Sequence, residues 1–134
     1  MTKKEVQQRV LKDGKPLAFN KFKWNSKTKT FSSEESGLVF DFSEISRVTF
    51  NTSHDCTFKT SHDCTFKTGH YCTFKTLNDC IFNTSDNCTF KTGSYCAFNT
   101  GSYCTFKTLN VCTFKTGSYC TFNTSYGCTF HTCF

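Results

Sequence analysis

Proline and branched aliphatic residues are the scarce components of this sequence. Proline occurs once in 134 residues, and leucine, isoleucine and valine are few. Such a composition excludes an ordinary aliphatic core, and it would be typical of disorder unless other apolar residues replaced the missing ones. No apolar run is long enough to span a membrane, and the first residues contain no apolar core of a signal peptide. We therefore expect a cytoplasmic protein that makes no membrane contact.

Phenylalanine, with 17 copies, supplies the missing apolar area. From residue 48 the chain repeats the unit Cys-Thr-Phe-Lys-Thr followed by three variable residues, with Val48 in the first cysteine position. Such a fixed period of eight predicts a repeat architecture. The phenylalanine position is filled in every unit, at residues 50, 58, 66, 74, 82, 90, 98, 106, 114, 122 and 130.

The repeat unit predicts a short β-strand followed by a turn. Cysteine and phenylalanine are two residues apart and therefore point to one face, while the intervening threonine and the lysine point to the other. The variable residues, mostly Ser, Gly, His, Asn, Asp and Tyr, are typical of turns. Strands this short gain full backbone pairing only by stacking on identical neighbours at about 4.8 Å. We predict an all-β solenoid with phenylalanine and cysteine ladders inside.

Alternate units differ, which favours two units, or sixteen residues, per coil. One set has threonine at residues 57, 73, 89, 105 and 121, whereas the other contains Ile81 and Ala97. Leu77 and Leu109 occur only in the first set. Alternatively, duplication of a sixteen-residue unit during evolution would produce the same difference between alternate units. With this period the ten cysteine-led units form about five coils and a rod of about 24 Å.

The eleven cysteines are predicted to be reduced core residues. Their number is odd, and ten of them occupy one fixed phase of the repeat, which argues against a disulfide framework. A free cysteine behaves as a small buried apolar residue, and reduced thiols agree with a cytoplasmic location.

The N-terminal residues 1–39 are predicted to cap the solenoid, which we assign to residues 40–134. Thr2 to Glu5 match a capping box, and we expect a helix that carries Val6, Val10 and Leu11 and ends before Gly14. Strands are expected near Leu17–Trp24, from Thr30 and at Leu38–Phe42. Within the last strand, Phe40 and Phe42 are placed in the cysteine and phenylalanine positions of a preceding unit.

The unit Cys-Thr-Phe-Lys-Thr resembles one unit of the pentapeptide-repeat family, in which a small and a large apolar residue point into a four-sided right-handed β-helix. Here three turn residues are added, so the period differs and the resemblance over residues 48–132 is one of architecture. The long Cys-Thr-Phe-Lys-Thr-Gly runs also resemble octapeptide-repeat proteins of bacteria and their phages. This resemblance implies a bacterial, prophage or phage origin and location in a bacterial host cell, but no activity. Some pentapeptide solenoids imitate DNA through acidic faces, whereas the outward residue here is lysine.

Two outward-facing rows are candidate binding residues. The lysine ladder, which consists of Lys59, Lys75, Lys91 and Lys107, could follow a phosphate backbone or an acidic protein surface. Alternatively, these lysines are a solvated face that prevents aggregation. A tyrosine ridge in the turns is suited to a protein interface, although its rings could instead cover neighbouring coils; it consists of Tyr71, Tyr95, Tyr103 and Tyr119. The formal net charge of +6 permits contact with nucleic acid without requiring it.

No catalytic, cofactor or metal site is predicted. His54, His62 and His70 precede cysteines by two residues, but those cysteines are needed in the core, and zinc sites usually contain close Cys-x-x-Cys pairs. A thiol nucleophile is disfavoured for the same reason. Threonine rows also occur on ice-binding solenoids of insects, but here a lysine lies beside each threonine.

The C-terminal end carries Phe130, Cys133 and Phe134 without an evident polar cap. An uncapped solenoid end pairs with another chain, so we expect a homodimer through this end. Alternatively, Phe134 folds over the last coil.

The leading functional hypothesis is a non-catalytic protein-binding module without a cofactor. Its most specific version is a phage- or prophage-encoded inhibitor that occludes a bacterial protein or ribonucleoprotein, such as a CRISPR effector nuclease. The alternatives are a structural or adhesive spacer, direct nucleic-acid binding through the lysine ladder, and ice binding. An enzyme is the least favoured class, because the repeats offer no pocket with converging polar groups.

Overall fold

The chain forms a β-solenoid with a small N-terminal cap, as the repeat predicts. The structure is a computed structural model and describes residues 1–132. It contains one short α-helix, α1, a 3₁₀ turn at Phe19–Lys21 and sixteen short strands. Helix α1 spans Lys3–Gln7, and the strands are β1 (Val10–Lys12), β2 (Lys15–Pro16), β3 (Lys23–Asn25), β4 (Thr30–Ser32), β5 (Leu38–Phe42), β6 (Thr49–Asn51), β7 (Thr57–Thr60), β8 (Thr65–Lys67), β9 (Thr73–Lys75), β10 (Ile81–Asn83), β11 (Thr89–Lys91), β12 (Ala97–Asn99), β13 (Thr105–Lys107), β14 (Thr113–Thr116), β15 (Thr121–Asn123) and β16 (Thr129–Thr132).

Each coil contributes one strand to each of two sheets. The odd-numbered strands β5 to β15 form one sheet, here called the lysine sheet, and the even-numbered strands β4 to β16 form the other. Pairing within each stack is parallel and in register, so that Thr57 lies beside Thr73 and Thr65 beside Ile81. The coil length of sixteen residues is therefore confirmed. Six coils result, of which the last five are the ten cysteine-led units.

Two columns of phenylalanine rings fill the space between the sheets. From Phe50 and Phe58 toward the C-terminus, the ring centroids within each column are 4.8–5.2 Å apart and the ring planes are nearly parallel. Between columns, the rings meet edge to face at 5.0–5.2 Å. Both arrangements are favoured by the ring quadrupole. In the inner coils the phenylalanines and cysteines are at most 3% exposed, as the sequence predicts.

The N-terminal cap covers one end of the core with α1 and three antiparallel strands. Strand β1 pairs with β5, and β3 pairs with β4. Phe22 stacks on Phe31 at 5.3 Å and continues the ring column of the second sheet. Buried Val6 and Leu17 complete this cover. The open edge that a solenoid otherwise presents is thus occupied at the N-terminal end.

Helix α1 begins as predicted but ends earlier. The Thr2 side chain accepts a hydrogen bond from the Glu5 backbone N–H at 3.2 Å. The prediction that the helix continues through Val10 and Leu11 is wrong, because these residues form β1 and pair with β5. The expected strand at residues 17–24 is likewise limited to β3, which follows the 3₁₀ turn.

The predicted phase of the first coil is also wrong. Phe40, rather than Phe42, lies beside Phe58, and its ring stacks on Phe58 at 4.5 Å. Phe42 lies beside Thr60 in the register of β5 and β7. The segment between Phe40 and Phe50 is two residues longer than a normal unit, so counting back by eight from Phe50 gives the wrong position.

Every turn of the repeat places the residue before the cysteine in the left-handed region. The nine non-glycine residues at this position have φ between 56° and 62°. Aspartate and asparagine tolerate this conformation, whereas it is strained for a β-branched residue. These residues are Asp55, Asp63, Tyr71, Asp79, Asn87, Tyr95, Tyr103, Val111 and Tyr119.

The middle residue of the turn provides a hydrogen-bond acceptor for the next coil. The Asn78 Oδ1 atom accepts from the Ser94 backbone N–H at 2.8 Å, and Asp86 Oδ1 accepts from Ser102 at the same distance. Buried backbone donors need such partners, which explains the frequency of short polar side chains here. The other acceptors of this kind are His54 Nδ1, His62 Nδ1, Ser94 Oγ and Ser102 Oγ.

Val111 is predicted to be the most strained turn residue, since it is β-branched with φ 56° and 40% exposed. We expect Val111→Asn to raise the free energy of unfolding by about 1 kcal/mol, because asparagine tolerates this conformation. Urea denaturation measures the change. Val111→Ile, which retains the β-branch, should leave stability within about 0.5 kcal/mol. Equal stabilities of the asparagine and isoleucine variants would contradict the assignment of strain.

Candidate binding face

The four lysines of the lysine ladder form a continuous column in register. Lys59 lies beside Lys75, Lys75 beside Lys91, and Lys91 beside Lys107 in the parallel strands β7 to β13. Their side chains are exposed on the outer face of the lysine sheet because phenylalanine and threonine on either side point inward. Adjacent strands lie about 4.8 Å apart, so the ladder concentrates positive charge along a straight line.

The column ends in residues without positive charge. Asp41 lies beside Lys59 at the N-terminal end, and Asn123 lies beside Lys107 at the other end. Hydrogen bonds from Ser43 lower the pKa of Asp41, and Lys59 and Arg9 add a smaller effect of the same sign. Lys59 is the ladder lysine next to this carboxylate, and Lys75, Lys91 and Lys107 follow it along the column at increasing distance.

A groove of about 600 Å³ runs alongside the ladder. Its lining includes all four ladder lysines, together with Leu77, Gly93 and Leu109 from the turns that follow β9, β11 and β13. Leu77 is 44% exposed and Leu109 is 54% exposed. We call this feature the lysine–leucine groove. The combination of a charged wall and an apolar wall is suited to an amphipathic partner.

Gly93 lies between the two leucines in the stack of turns. A Cβ atom at this position would collide with Asn78 Oδ1, the same atom that accepts a hydrogen bond from the Ser94 N–H. The hydrogen bond from Ser94 to Asn78 thus leaves no room for a Cβ atom at residue 93.

Within residues 1–132, the outer face of the second sheet has no comparable column of lysines. Its lysines, Lys67 and Lys115, are separated by Asn83 and Asn99 in register. Ile81 and Ala97 also interrupt its threonine row. The two faces therefore differ in charge although they are built from the same unit.

The residues of the tyrosine ridge lie at two different edges. Tyr71, Tyr103 and Tyr119 precede strands of the lysine sheet, whereas Tyr95 precedes β12 of the second sheet. Within residues 1–132, Tyr103 and Tyr119 are the two residues of this group whose rings stack, at 5.1 Å. All four rings are more than half exposed. Since Asn87 lies between Tyr71 and Tyr103 in the coil sequence, the structure divides the predicted ridge.

The cysteine columns are free thiols in the core. Cys56 to Cys112 of the repeat are buried, and Cys120 and Cys128 in the last coil are half-buried. The Cys96 Sγ atom donates to the Leu77 and Ser94 carbonyl oxygens at 3.5 and 3.6 Å, and other thiols of the column repeat this pattern. The neighbouring Cys112 thiol and then burial raise the pKa of Cys96 to about 11. The carbonyl oxygens that face the Cys96 sulfur would repel a thiolate at this position.

His54, His62 and His70 lie in turns, and two of them accept hydrogen bonds from the next coil. Nδ1 of His54 accepts from the His70 backbone N–H at 3.0 Å, and Nδ1 of His62 accepts from Asn78 at 3.2 Å. The rings of His54 and His70 stack at 4.9 Å. Among residues 1–132, no three histidine, cysteine or acidic side chains are grouped in a way that could hold a metal ion.

The C-terminal end of the described solenoid is open. Strands β15 and β16 each have a neighbour on one side within residues 1–132. Phe130 is 43% exposed, and it lines an apolar hollow of about 500 Å³ together with Phe122, Cys120 and Tyr119. Cys133 and Phe134, which were also predicted to belong to this end, lie outside the described residues.

The groove is the feature that sequence reasoning missed. The sequence revealed that Leu77 and Leu109 are two coils apart, but it did not reveal that both flank the lysines. Only the placement of the turn beside the strand brings charged and apolar side chains to one surface.

Within residues 1–132, no helix has the length and apolar character needed to cross a bilayer. No protein-family profile, no curated protein and no solved structure matches this chain.

Proposed function

We propose that the chain is a non-catalytic binding protein that uses the lysine–leucine groove to hold an acidic protein partner. The observation that carries this proposal is the in-register column of four lysines beside two exposed leucines. Like charges in neighbouring strands repel one another, so the column is destabilising in the free protein. Carboxylates of a partner would relieve that repulsion.

A protein partner is favoured over nucleic acid by the apolar wall of the groove. Leu77 and Leu109 add nothing to contacts with phosphate, whereas apolar side chains at the centre of a charged surface are typical of protein interfaces. Tyr71, Tyr103 and Tyr119 lie where the chain enters the lysine sheet, at the opposite end of its strands from the lysines, whereas Tyr95 lies in the same turn as Gly93. Three of the four ridge tyrosines are thus too far along the strand to stack unpaired bases directly beside the lysines.

The finer hypothesis names the partner as a bacterial nucleic-acid enzyme, such as a CRISPR effector, bound by a phage-encoded inhibitor. Its support is the resemblance of the octapeptide runs to bacterial and phage proteins, together with a binding face that could occupy a site used by nucleic acid. It remains a prediction about the identity of the partner, separate from the proposal about the surface.

Charge reversal of the two central lysines tests the surface. Purified protein is immobilised and exposed to bacterial lysate with and without nuclease treatment, and retained proteins are quantified by mass spectrometry. We expect the wild type to retain acidic protein, and Lys75→Glu with Lys91→Glu to lose it by tenfold or more, because the partner's carboxylates would then be repelled. Recovery of a nucleic-acid enzyme would support the finer hypothesis.

The matched control is Lys67→Glu with Lys115→Glu, which makes the same change in net charge on the second sheet. This control should retain the partner as the wild type does. Equal retention by all three proteins, or loss of all retention after nuclease treatment, would contradict the proposal. The second outcome would instead favour nucleic-acid binding through the lysine ladder.

We also propose that two chains associate through their C-terminal ends. The support is the contrast between Phe130, which is 43% exposed, and the phenylalanines of inner coils, which are at most 3% exposed. Because the cap covers the opposite end of each core, one two-fold contact would leave no further open end. Association would therefore stop at a closed dimer.

Light scattering coupled to size-exclusion chromatography tests the dimer. We expect the wild type to have twice the chain mass of 15.3 kDa. Phe130→Asp should give a monomer, because the charge would be buried in an apolar contact. Ile81→Asp, an exposed position in the middle of the second sheet, should remain dimeric. A wild-type monomer at high concentration would overturn the dimer.

A further inference from the structure

We propose that the element held in the lysine–leucine groove is an acidic amphipathic α-helix that lies along the solenoid axis. This inference rests on the proposed function and specifies the shape of the partner. It is drawn from the spacing of the lysines and from the arrangement of leucines and glycine on the opposite wall.

The lysine spacing matches one face of a helix. Four lysines at about 4.8 Å per strand span about 14 Å. Helix positions i, i+3, i+7 and i+10 lie on one side at axial distances of 0, about 4.5, about 10.5 and about 15 Å. Four carboxylates at these positions would each face one lysine.

An extended chain does not match this spacing. Side chains on one face of a strand repeat about every 6.7 Å, so only three carboxylates fit the length of the ladder and the middle one falls between lysines. The pitch of the solenoid thus favours a helix over an extended acidic segment.

The opposite wall of the groove suits the apolar side of the same helix. Leu77 and Leu109 are two strands apart, about 9.6 Å, and Gly93, which contributes no apolar side chain, lies between them in the groove lining. Apolar residues at i+4 and i+8 of the helix would lie next to the acidic row and would contact the two leucines. The groove thereby defines a two-row pattern, carboxylates in one row and apolar side chains in the other.

Charge along the ladder indicates where the helix is held most firmly. Lys59 already has Asp41 beside it in register, whereas Lys75, Lys91 and Lys107 have lysine or asparagine neighbours. The carboxylates that face these three lysines should contribute most to binding. Lys91 also lies in the same strand-to-turn segment as Gly93, so it links the charged and apolar contacts.

A designed peptide tests the inference directly. The probe is a fluorescent, alanine-rich eighteen-residue peptide with glutamate at positions 4, 7, 11 and 14 and leucine at positions 8 and 12. Its control has the same composition, with the glutamates distributed around the helix, and circular dichroism verifies that both are equally helical. Fluorescence anisotropy at low and physiological salt measures their affinities for the full-length protein.

We expect the patterned peptide to bind at least tenfold more tightly than the permuted peptide. Lys91→Glu should weaken its binding at least tenfold, and Leu109→Asn should weaken it severalfold. Lys115→Glu on the second sheet should have no effect. Equal affinity for the two peptides, tighter binding of unstructured polyglutamate, or insensitivity to Lys91→Glu would each overturn the inference.

The two proposals fail in distinguishable ways. If the patterned peptide does not bind but Lys75→Glu with Lys91→Glu still abolishes capture of a protein from lysate, the groove binds an acidic partner that is not a helix. If neither the peptide nor a lysate protein depends on these lysines, both proposals are wrong. Preferential binding of a short DNA duplex over the peptide would also reject the helix.

Discussion

Stacking of phenylalanine rings at the spacing of paired β-strands is the interaction on which the rest of this structure depends. Neighbouring rings in one column lie 4.8–5.2 Å apart, which matches the separation of strands in a sheet, about 4.8 Å. Each ring in an inner coil also contacts rings of the opposite sheet edge to face. Ring packing and backbone pairing therefore favour the same register, and each added coil repeats both.

This core has a direct consequence for the outer surface. Because phenylalanine fixes the register, each outward residue lies beside its counterpart sixteen residues away, whatever its charge. Lysine thus lies beside lysine in β7 to β13. Repulsion between these charges would disfavour this register if the strands could shift relative to one another. A rigid core converts small differences between the two units of a coil into two faces with different chemistry.

The repeat made the solenoid, its sixteen-residue coil and its buried rings predictable, since a period of eight with alternating apolar residues has few other solutions. The first coil was less predictable because the segment before Phe50 contains two extra residues, which shifts Phe40 into the ring column. The helix was overestimated because Val10 and Leu11 suit either a helical stripe or a strand, and only pairing with β5 decides between them.

The lysine ladder was predicted from the sequence, whereas the groove was not. A ladder depends only on register, but a groove depends on how far the following turn projects beside the strand. That geometry arises from the left-handed residue before each cysteine and from side-chain acceptors such as Asn78. Neither feature follows from periodicity, although the abundance of Asp, Asn, Ser and His in the turns was a usable signal for the acceptors.

The most direct test of the ring core compares the unfolding free energies of Phe90→Ala and Ile81→Ala. Phe90 is 1% exposed and has four ring neighbours at 4.9–5.1 Å, so its loss should cost about 3–5 kcal/mol. Ile81 points outward, is 54% exposed and lies beside an alanine, so its loss should cost about 0.5 kcal/mol or less. Similar costs for the two substitutions, measured by urea denaturation, would contradict the dependence of this fold on stacked rings.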